Sequence, residues 1–162
     1  MNTSINFNEV RKLAAKSAKS RPILGCIKIQ DGKALWTDSI YAIVMEGYSK
    51  KGNAVISLAD YSIKYNLEDY PRLEDALNRS SYGERPYTEE IMDGEVIYIY
   101  EDNDKRKRFI DGEILSQIKK LITNKKLHPS ISQIEINESC SMGKVHVDSL
   151  TKIYFVLKRR EQ

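Results

Sequence analysis

RPILGCIKIQDGKALWTDSIYAIVMEGY, residues 21–48, is the stretch on which the fold turns. Arg21-Pro22 ends whatever helix precedes it, because the residue before proline disfavours helical dihedrals. Residues 23–30 then alternate: Ile23, Gly25, Ile27 and Ile29 fall to one side, Leu24, Cys26 and Lys28 to the other. That period of two is the mark of a strand with one face on a core. Asp31-Gly32 is a two-residue hairpin signal, since both positions tolerate positive φ. Residues 33–38 return as a second strand carrying Leu35 and Trp36. Asp38-Ser39 makes the next turn, and residues 40–48 supply a third strand rich in Ile, Val and Tyr.

The preceding segment reads as a helix over residues 9–19. Val10, Leu13, Ala14 and Ala18 recur at helical spacing and form one apolar stripe. At about 100° per residue, Lys12, Lys16 and Lys19 fall within an arc of roughly 60° on the opposite side, with Arg11 beside the stripe. Asn8 is the expected N-cap, with Glu9 in the first turn. Residues 3–7 alternate enough for a short strand. The first unit is therefore expected to be β-α-β-β-β, spanning residues 3–48.

A second unit follows over residues 95–160. Residues 95–100 alternate, 101–104 turn, and 105–110 form a basic strand. Asp111 is placed to cap a helix over residues 113–124, whose apolar face is Ile114, Leu115, Ile118, Leu121 and Ile122. Lys119 and Lys120 lie on this helix; Lys125, Lys126 and His128 follow its end, where positive charge suits the helix dipole. Strands are expected at 131–137, 144–148 and 151–158. The two units align: CIKIQ followed by GKALWTDSIYAIVME in the first, QIEIN followed by GKVHVDSLTKIYFVLK in the second. Asp38-Ser39 and Asp148-Ser149 hold equivalent places. Internal duplication predicts one continuous antiparallel sheet with both helices on one face, an α+β architecture.

Residues 49–94 form an irregular insertion between the units. They offer a polar turn at 49–53, a candidate strand at 54–58, a helix or a strand at 60–66, an amphipathic stretch at 73–77 and a loop at 81–94. Tyr61, Tyr65, Tyr70, Tyr82 and Tyr87 fall here, either packing the insertion on the sheet or forming a binding surface.

Composition sets bounds on function. With 41% hydrophobic and 30% charged residues over 162 positions, one ordered domain is expected. No apolar run approaches the ~20 residues of a membrane span, and residues 1–12 lack the apolar core of a secretory signal, so an intracellular, cytoplasmic protein with no membrane partner is expected. Cys26 and Cys140 lie in no metal-binding spacing and read as buried or free thiols. Because 26 basic residues nearly balance 23 acidic ones, the net charge of +3 does not by itself imply nucleic-acid binding; what matters is clustering on one face.

RPILGCIKI (residues 21–29) resembles the Arg-x-x-Leu-x-Gly-hydrophobic strand of DNA sliding clamps of the bacterial DNA polymerase III beta subunit type. WTDSIYAIV (36–44) resembles their Ala-Thr-Asp-Gly-x-Arg-Leu-Ala motif, with Thr37 and Asp38 matching and Ser39 in place of the glycine. DYPRLEDAL (69–77) is similar to the Phe-Pro-x-Tyr segment between clamp domains, and TKIYFVLKRR (151–160) to the closing strand. Together these touch about half of the chain. Clamp domains consist of two β-α-β-β-β halves, and their chains carry two or three domains in a six-domain ring. A chain with length for one domain plus an insertion encircles DNA only as a homo-oligomer of about six copies.

The resemblance implies a non-enzymatic protein of DNA replication, phage or mobile-element origin being compatible with it. It would contact duplex DNA without sequence preference. The implied contacts are Lys12, Lys16, Lys19, Lys119, Lys120, Lys125 and Lys126. It also implies a partner-peptide groove around Thr37, Asp38, Tyr41, Tyr154 and Val156. The alternative is a protein-interaction module that binds or mimics the partners of replication clamps without encircling DNA. A third class, an unrelated α+β protein with a small-molecule or enzymatic role, would show a ligand in a deep pocket.

The sequence carries no glycine-rich phosphate loop, G-x-S-x-G or H-E-x-x-H, and no cofactor is expected. His128 and His146 lack an evident carboxylate or cysteine partner in sequence, and Asp38 and Asp148 read as turn residues rather than paired acids. The run Lys105, Arg106, Lys107 and Arg108 reads as charge guarding an edge strand.

Overall fold

Asn6, not Asn8, caps the first helix. In this computed structural model, which describes residues 4–48 and 52–160, helix α1 runs Phe7–Ala18, and Asn6 Oδ1 accepts the Glu9 N–H at 3.3 Å. Two asparagines two residues apart both suit the role; tertiary pairing selects between them. Asn6 N–H donates to Leu121 O at 2.8 Å and Thr123 N–H to Ser4 O at 3.0 Å, which keeps the chain extended through Asn6. The strand expected at residues 3–7 is reduced to a single bridge between Ile5 and Ile122; Thr3 lies outside the described residues, as do residues 49–51 of the expected polar turn.

Residues 22–25 form a 3₁₀ turn, so the first strand starts later than its alternation implies. Strands β1 (Cys26–Gln30), β2 (Lys33–Thr37) and β3 (Tyr41–Met45) follow as consecutive antiparallel hairpins. Asp31 (φ 53°) and Gly32 (φ 79°) take the left-handed conformations that the Asp-Gly pair predicts. Strands β4 (Ala54–Ser57) and β5 (Ile63–Tyr65) extend the sheet beyond β1, so the insertion starts as ordered sheet; the 60–66 ambiguity resolves as strand. Helix α2 (Leu73–Asn78) comes next. The loop expected over 81–94 is instead two strands, β6 (Tyr82–Gly83) and β7 (Thr88–Met92). Both are edge strands: β6 is held by the distant residues 136–137, while β7 pairs with residues 95–99 across a two-residue Asp93-Gly94 turn whose φ values of 52° and 82° are left-handed.

Strands β8 (Glu95–Glu101) and β9 (Lys107–Ile110) lead into helix α3 (Gly112–Leu121), capped by Asp111 Oδ1 on the Ile114 N–H at 3.0 Å. Strands β10 (Glu135–Asn137), β11 (Met142–Asp148), β12 (Thr151–Val156) and β13 (Lys158–Arg159) complete the chain. The molecule is α+β: three helices and two antiparallel sheets among the described residues. The larger sheet has order β5-β4-β1-β2-β3-β12-β11-β10-β6, the smaller β13-β9-β8-β7. One continuous sheet does not form, because β9 pairs with β8 and β13 instead of joining β10–β12.

The last strands of the two sequence units pair with each other. Residue Ile43 of β3 lies opposite Ile153 of β12. These two positions become equivalent when Asp38-Ser39 is aligned with Asp148-Ser149.

Alternation along the strands divides two cores. Trp36, Ile43, Val145, Ile153 and Phe155 face Val10 and Ala14 of α1 and Ile114, Ile118 and Leu121 of α3, so both helices pack on one face of the larger sheet. They also touch each other, with Gln117 Nε2 donating to Glu9 Oε1 at 3.5 Å. Tyr100 and Ile110 bring the smaller sheet against the same core. Side chains of this size, fully removed from water, each contribute about 1.5–3 kcal/mol. On the opposite face, Ala42 and Tyr154 are covered by Leu77 of α2.

Farther along that opposite face, Ile23, Leu24, Cys26 and Val55 enclose Tyr70. The Tyr70 hydroxyl sits where the β1–β2 ladder opens, donating to Cys26 O at 3.1 Å and accepting from Thr37 N–H at 3.2 Å. Tyr70→Phe is expected to cost about 1–3 kcal/mol, because it strands a buried donor and a buried acceptor. A urea midpoint equal to that of the parent would show that the hydroxyl bridge is not needed.

Candidate nucleic-acid interface

The sheet side of α1 and α3 is apolar, so the residues roughly half a turn away are forced outward. On α1 these include Lys12, Lys16 and Lys19, all exposed; on α3 they include Lys119 and Lys120, also exposed. Lys125 and Lys126 are exposed in the 3₁₀ turn after α3, which Asn124 opens by accepting the Lys126 N–H at 3.0 Å. Among the described residues, none of the seven takes part in an ion pair. Because α1 and α3 are neighbours, the outer surface of the helix pair gathers these charges from sequence positions more than a hundred residues apart. With these seven lysines set aside, the chain's net charge falls from +3 to −4. Seven of the chain's 26 basic residues thus lie on or just after these two helices, a clustering that a near-neutral total hides.

Acidic groups also belong to the helix pair: Glu9 of α1 accepts from Gln117 of α3. Asp111 and Glu113, at the start of α3, are held by Lys158 at 2.6 and 3.2 Å. Burial, followed by the charges of Asp38, Glu113 and Asp111, pushes the Tyr41 phenol well above its usual pKa. Tyr41 thus remains neutral and buried between the start of α3 and the Asp38 turn.

The five groove residues lie on or beside the neighbouring strands β2, β3 and β12, but they do not all share one surface. Thr37 is buried, its Oγ1 donating to Tyr41 O at 2.9 Å. Asp38 Oδ1 accepts the N–H groups of Ile40 and Tyr41 at 2.9 and 2.7 Å, a turn-forming role. Burial raises the pKa of its carboxyl; those two N–H groups and the charge of Lys16 oppose the shift. At the second turn Asp148 also shapes the backbone, its Oδ1 accepting the Leu150 N–H at 2.8 Å. Tyr41 packs in the helix-side core and Tyr154 under α2, on opposite faces of the sheet. Val156 is 40% exposed beside Ile40, which is 55% exposed and whose carbonyl accepts the Val156 N–H at 3.0 Å. This apolar pair is the surface near Asp38; Ile40 escapes a sequence reading because it sits within a strand-like run.

His128 Nε2 lies 3.1 Å from Ile122 O, and His146 Nε2 lies 2.7 Å from Glu135 Oε1, a partner that sequence spacing does not reveal. Cys26 and Cys140 are buried, and burial pushes both thiols up, so neither is a thiolate at neutral pH. Of the basic run, Lys105 lies in the β8–β9 turn with φ 61°, outside the strand expected to hold it. Among the described residues no group of three His, Cys, Asp or Glu is arranged to hold a metal ion, and no helix is long and apolar enough to cross a membrane.

Neither a protein-family model nor a curated protein matches this chain.

Proposed function

We propose that this chain is a non-enzymatic, clamp-fold protein that contacts duplex DNA without reading its sequence, through the outer face of the α1–α3 pair. The observation that carries the proposal is the joining of seven exposed lysines, none ion-paired among the described residues, on or just after two helices that pack side by side on one face of the sheet. Lysine ammonium groups on flexible stems suit phosphate oxygens at many positions and carry no base-reading geometry. The pairing of the two units through Ile43 and Ile153 agrees with the doubled β-α-β-β-β scheme that the sequence resemblance implies. An encircling assembly would need several copies, and the strands left with a free edge for it are β5, β6, β7 and β13, since β3 and β12 are used on each other.

The test is fluorescence anisotropy with two labelled duplexes of unrelated sequence, titrated between about 50 and about 200 mM salt. Both duplexes should bind with the same affinity and the same steep salt dependence. No binding at low salt, or a clear preference for one sequence, would overturn the proposal. A second reading, a module that engages replication proteins without DNA, rests on the exposed Ile40–Val156 pair. Capture of such proteins that is lost in Ile40→Asp, with DNA affinity absent, would favour it.

A further inference from the structure

The flank of α1 that carries Arg11 points away from α3, toward the outer edge of the larger sheet. There the helix presents Ala14, Ala15 and Ala18, and the turn after β4 presents Ala59. Because these side chains are short, a trough of about 460 Å³ remains between α1 and strands β4–β5. Arg11 and Lys64 stand at its walls. Strand β5 ends the sheet order, so its outer row of backbone groups has no strand partner among the described residues. Two large side chains beside it are left in water: Tyr61 is 64% exposed and Ile63 68%.

Tyr61 is held in this position at a cost. Its φ of 58° is left-handed, a conformation costing on the order of 1 kcal/mol for a residue with a side chain. Its N–H donates to Ser57 O at 2.8 Å, which fixes the turn. The Arg11 guanidinium lies 5.8 Å from the Tyr61 ring centre and donates to its hydroxyl at 2.7 Å and to Asn8 Oδ1 at 3.2 Å. Five N–H donors are available on a guanidinium, so donors remain for an incoming carboxylate. Asp60, in the same turn, is satisfied locally: Ser62 donates to it from N–H at 3.1 Å and from Oγ at 2.6 Å, and Lys64 pairs with it at 3.4 Å. Those bonds hold its carboxyl far below the usual range.

We infer that the β5 edge and this trough form a docking site for an extended, acidic segment of a partner protein. The segment adds a strand to β5 through main-chain hydrogen bonds. Every second side chain then turns toward the alanine-walled trough, and its carboxylates meet Arg11 and Lys64. A free strand edge selects an extended chain, the small walls select a modest apolar side chain, and the two cations select acidic neighbours. The site is independent of the lysine face, because Arg11 lies on another flank of α1 and Lys64 on the sheet.

The test uses the whole chain and a fluorescein-labelled peptide alternating glutamate with valine. The comparison peptides are the same sequence with lysine for glutamate, and the glutamate peptide N-methylated at every residue, which has no N–H left on either edge to pair with a strand. The acidic peptide is expected to bind saturably, with amide shifts confined to residues 11–18 and 57–65. The lysine and N-methylated peptides should each bind at least about tenfold more weakly, the equivalent of ~1.4 kcal/mol. Arg11→Glu with Lys64→Glu, both surface changes, should reduce binding by a similar factor. Equal binding of the lysine or N-methylated peptide, an unaffected double variant, displacement by duplex DNA, or no saturable binding of the acidic peptide would each overturn the inference. Loss of DNA binding in lysine-face variants leaves the peptide result unchanged, so the two proposals fail separately.

Discussion

Replacing Lys12, Lys16, Lys119 and Lys120 together by glutamate is expected to abolish duplex DNA binding while leaving the fold intact. The magnitude follows from counterion release: each phosphate neutralised contributes about −0.9 to the slope of log affinity against log salt. If all seven lysines engage at once, the slope approaches roughly −6, and raising salt from about 50 to about 200 mM weakens binding by roughly 10⁴. If only four engage, the loss is on the order of 10². Reversing four charges removes four favourable contacts and adds four repulsive ones, so a loss of about 10³ or more at low salt is expected. Single Lys→Ala changes should each lower the slope by about one and weaken both duplexes alike. None of these side chains is buried or ion-paired. Each change should therefore cost within about 0.5 kcal/mol of stability. A quadruple variant that binds with the parent's affinity and slope would rule out the helix face as the contact surface.

Gly143→Ala is expected to be the most damaging small substitution in the sheet. Gly143 is buried on β11 directly opposite Phe155 of β12. A Cβ built there would lie 2.1, 2.5 and 2.8 Å from three atoms of the Phe155 ring. The ring has nowhere to move: Phe155 is 0% exposed and packs in the core beneath the helices. Overpacking of this kind costs about 3 kcal/mol, since either the ring leaves its rotamer or the strands part. For a chain of 162 residues that corresponds to a fall of roughly 6–12 °C in Tm. Gly83→Ala is the control, because a Cβ there meets nothing within 4 Å. Phe155→Leu should rescue part of the loss when combined with Gly143→Ala, although alone it leaves a cavity. A melting curve for Gly143→Ala that overlays the parent would mean the ring has a second place to go.

Local chemistry made several elements legible. Period-two alternation marked the strands of residues 26–45, Asp31-Gly32 marked their first hairpin, and Asp111 marked the start of α3. Each signal is short-range: a dihedral preference, a side-chain cap, or a burial period within one segment. The strand at 88–92 had a local mark, the Asp93-Gly94 turn into β8, which the charge and Pro86 around it masked; the strand at 82–83 was illegible because its stability comes from the distant β10. The Asn6 cap was misplaced for a similar reason, since contacts with residues 121 and 123 decide it.

The candidate surfaces divide along the same line. Helical spacing alone placed Lys12, Lys16 and Lys19 opposite an apolar stripe, and no tertiary information was needed. That Lys119 and Lys120 share their surface was decided by the packing of α1 against α3. Tyr41 and Tyr154 lie on neighbouring strands, β3 and β12. The β3–β12 register, however, pairs Tyr41 with Phe155 and Ala42 with Tyr154, and a shift of one residue reverses the face on which a side chain lies. The trough beside Arg11 had a faint trace in sequence, the alanines at 14, 15 and 18, but an alanine shows only that space is available. The β4–β5 strands are what enclose that space. By itself the sequence determined the two longer helices, the strands of residues 26–45 and which helix residues face water, because those follow from local dihedral preference and periodicity. Strand order, register and the neighbours of each exposed charge were decided only by the tertiary structure, because they depend on pairings between residues far apart in the chain.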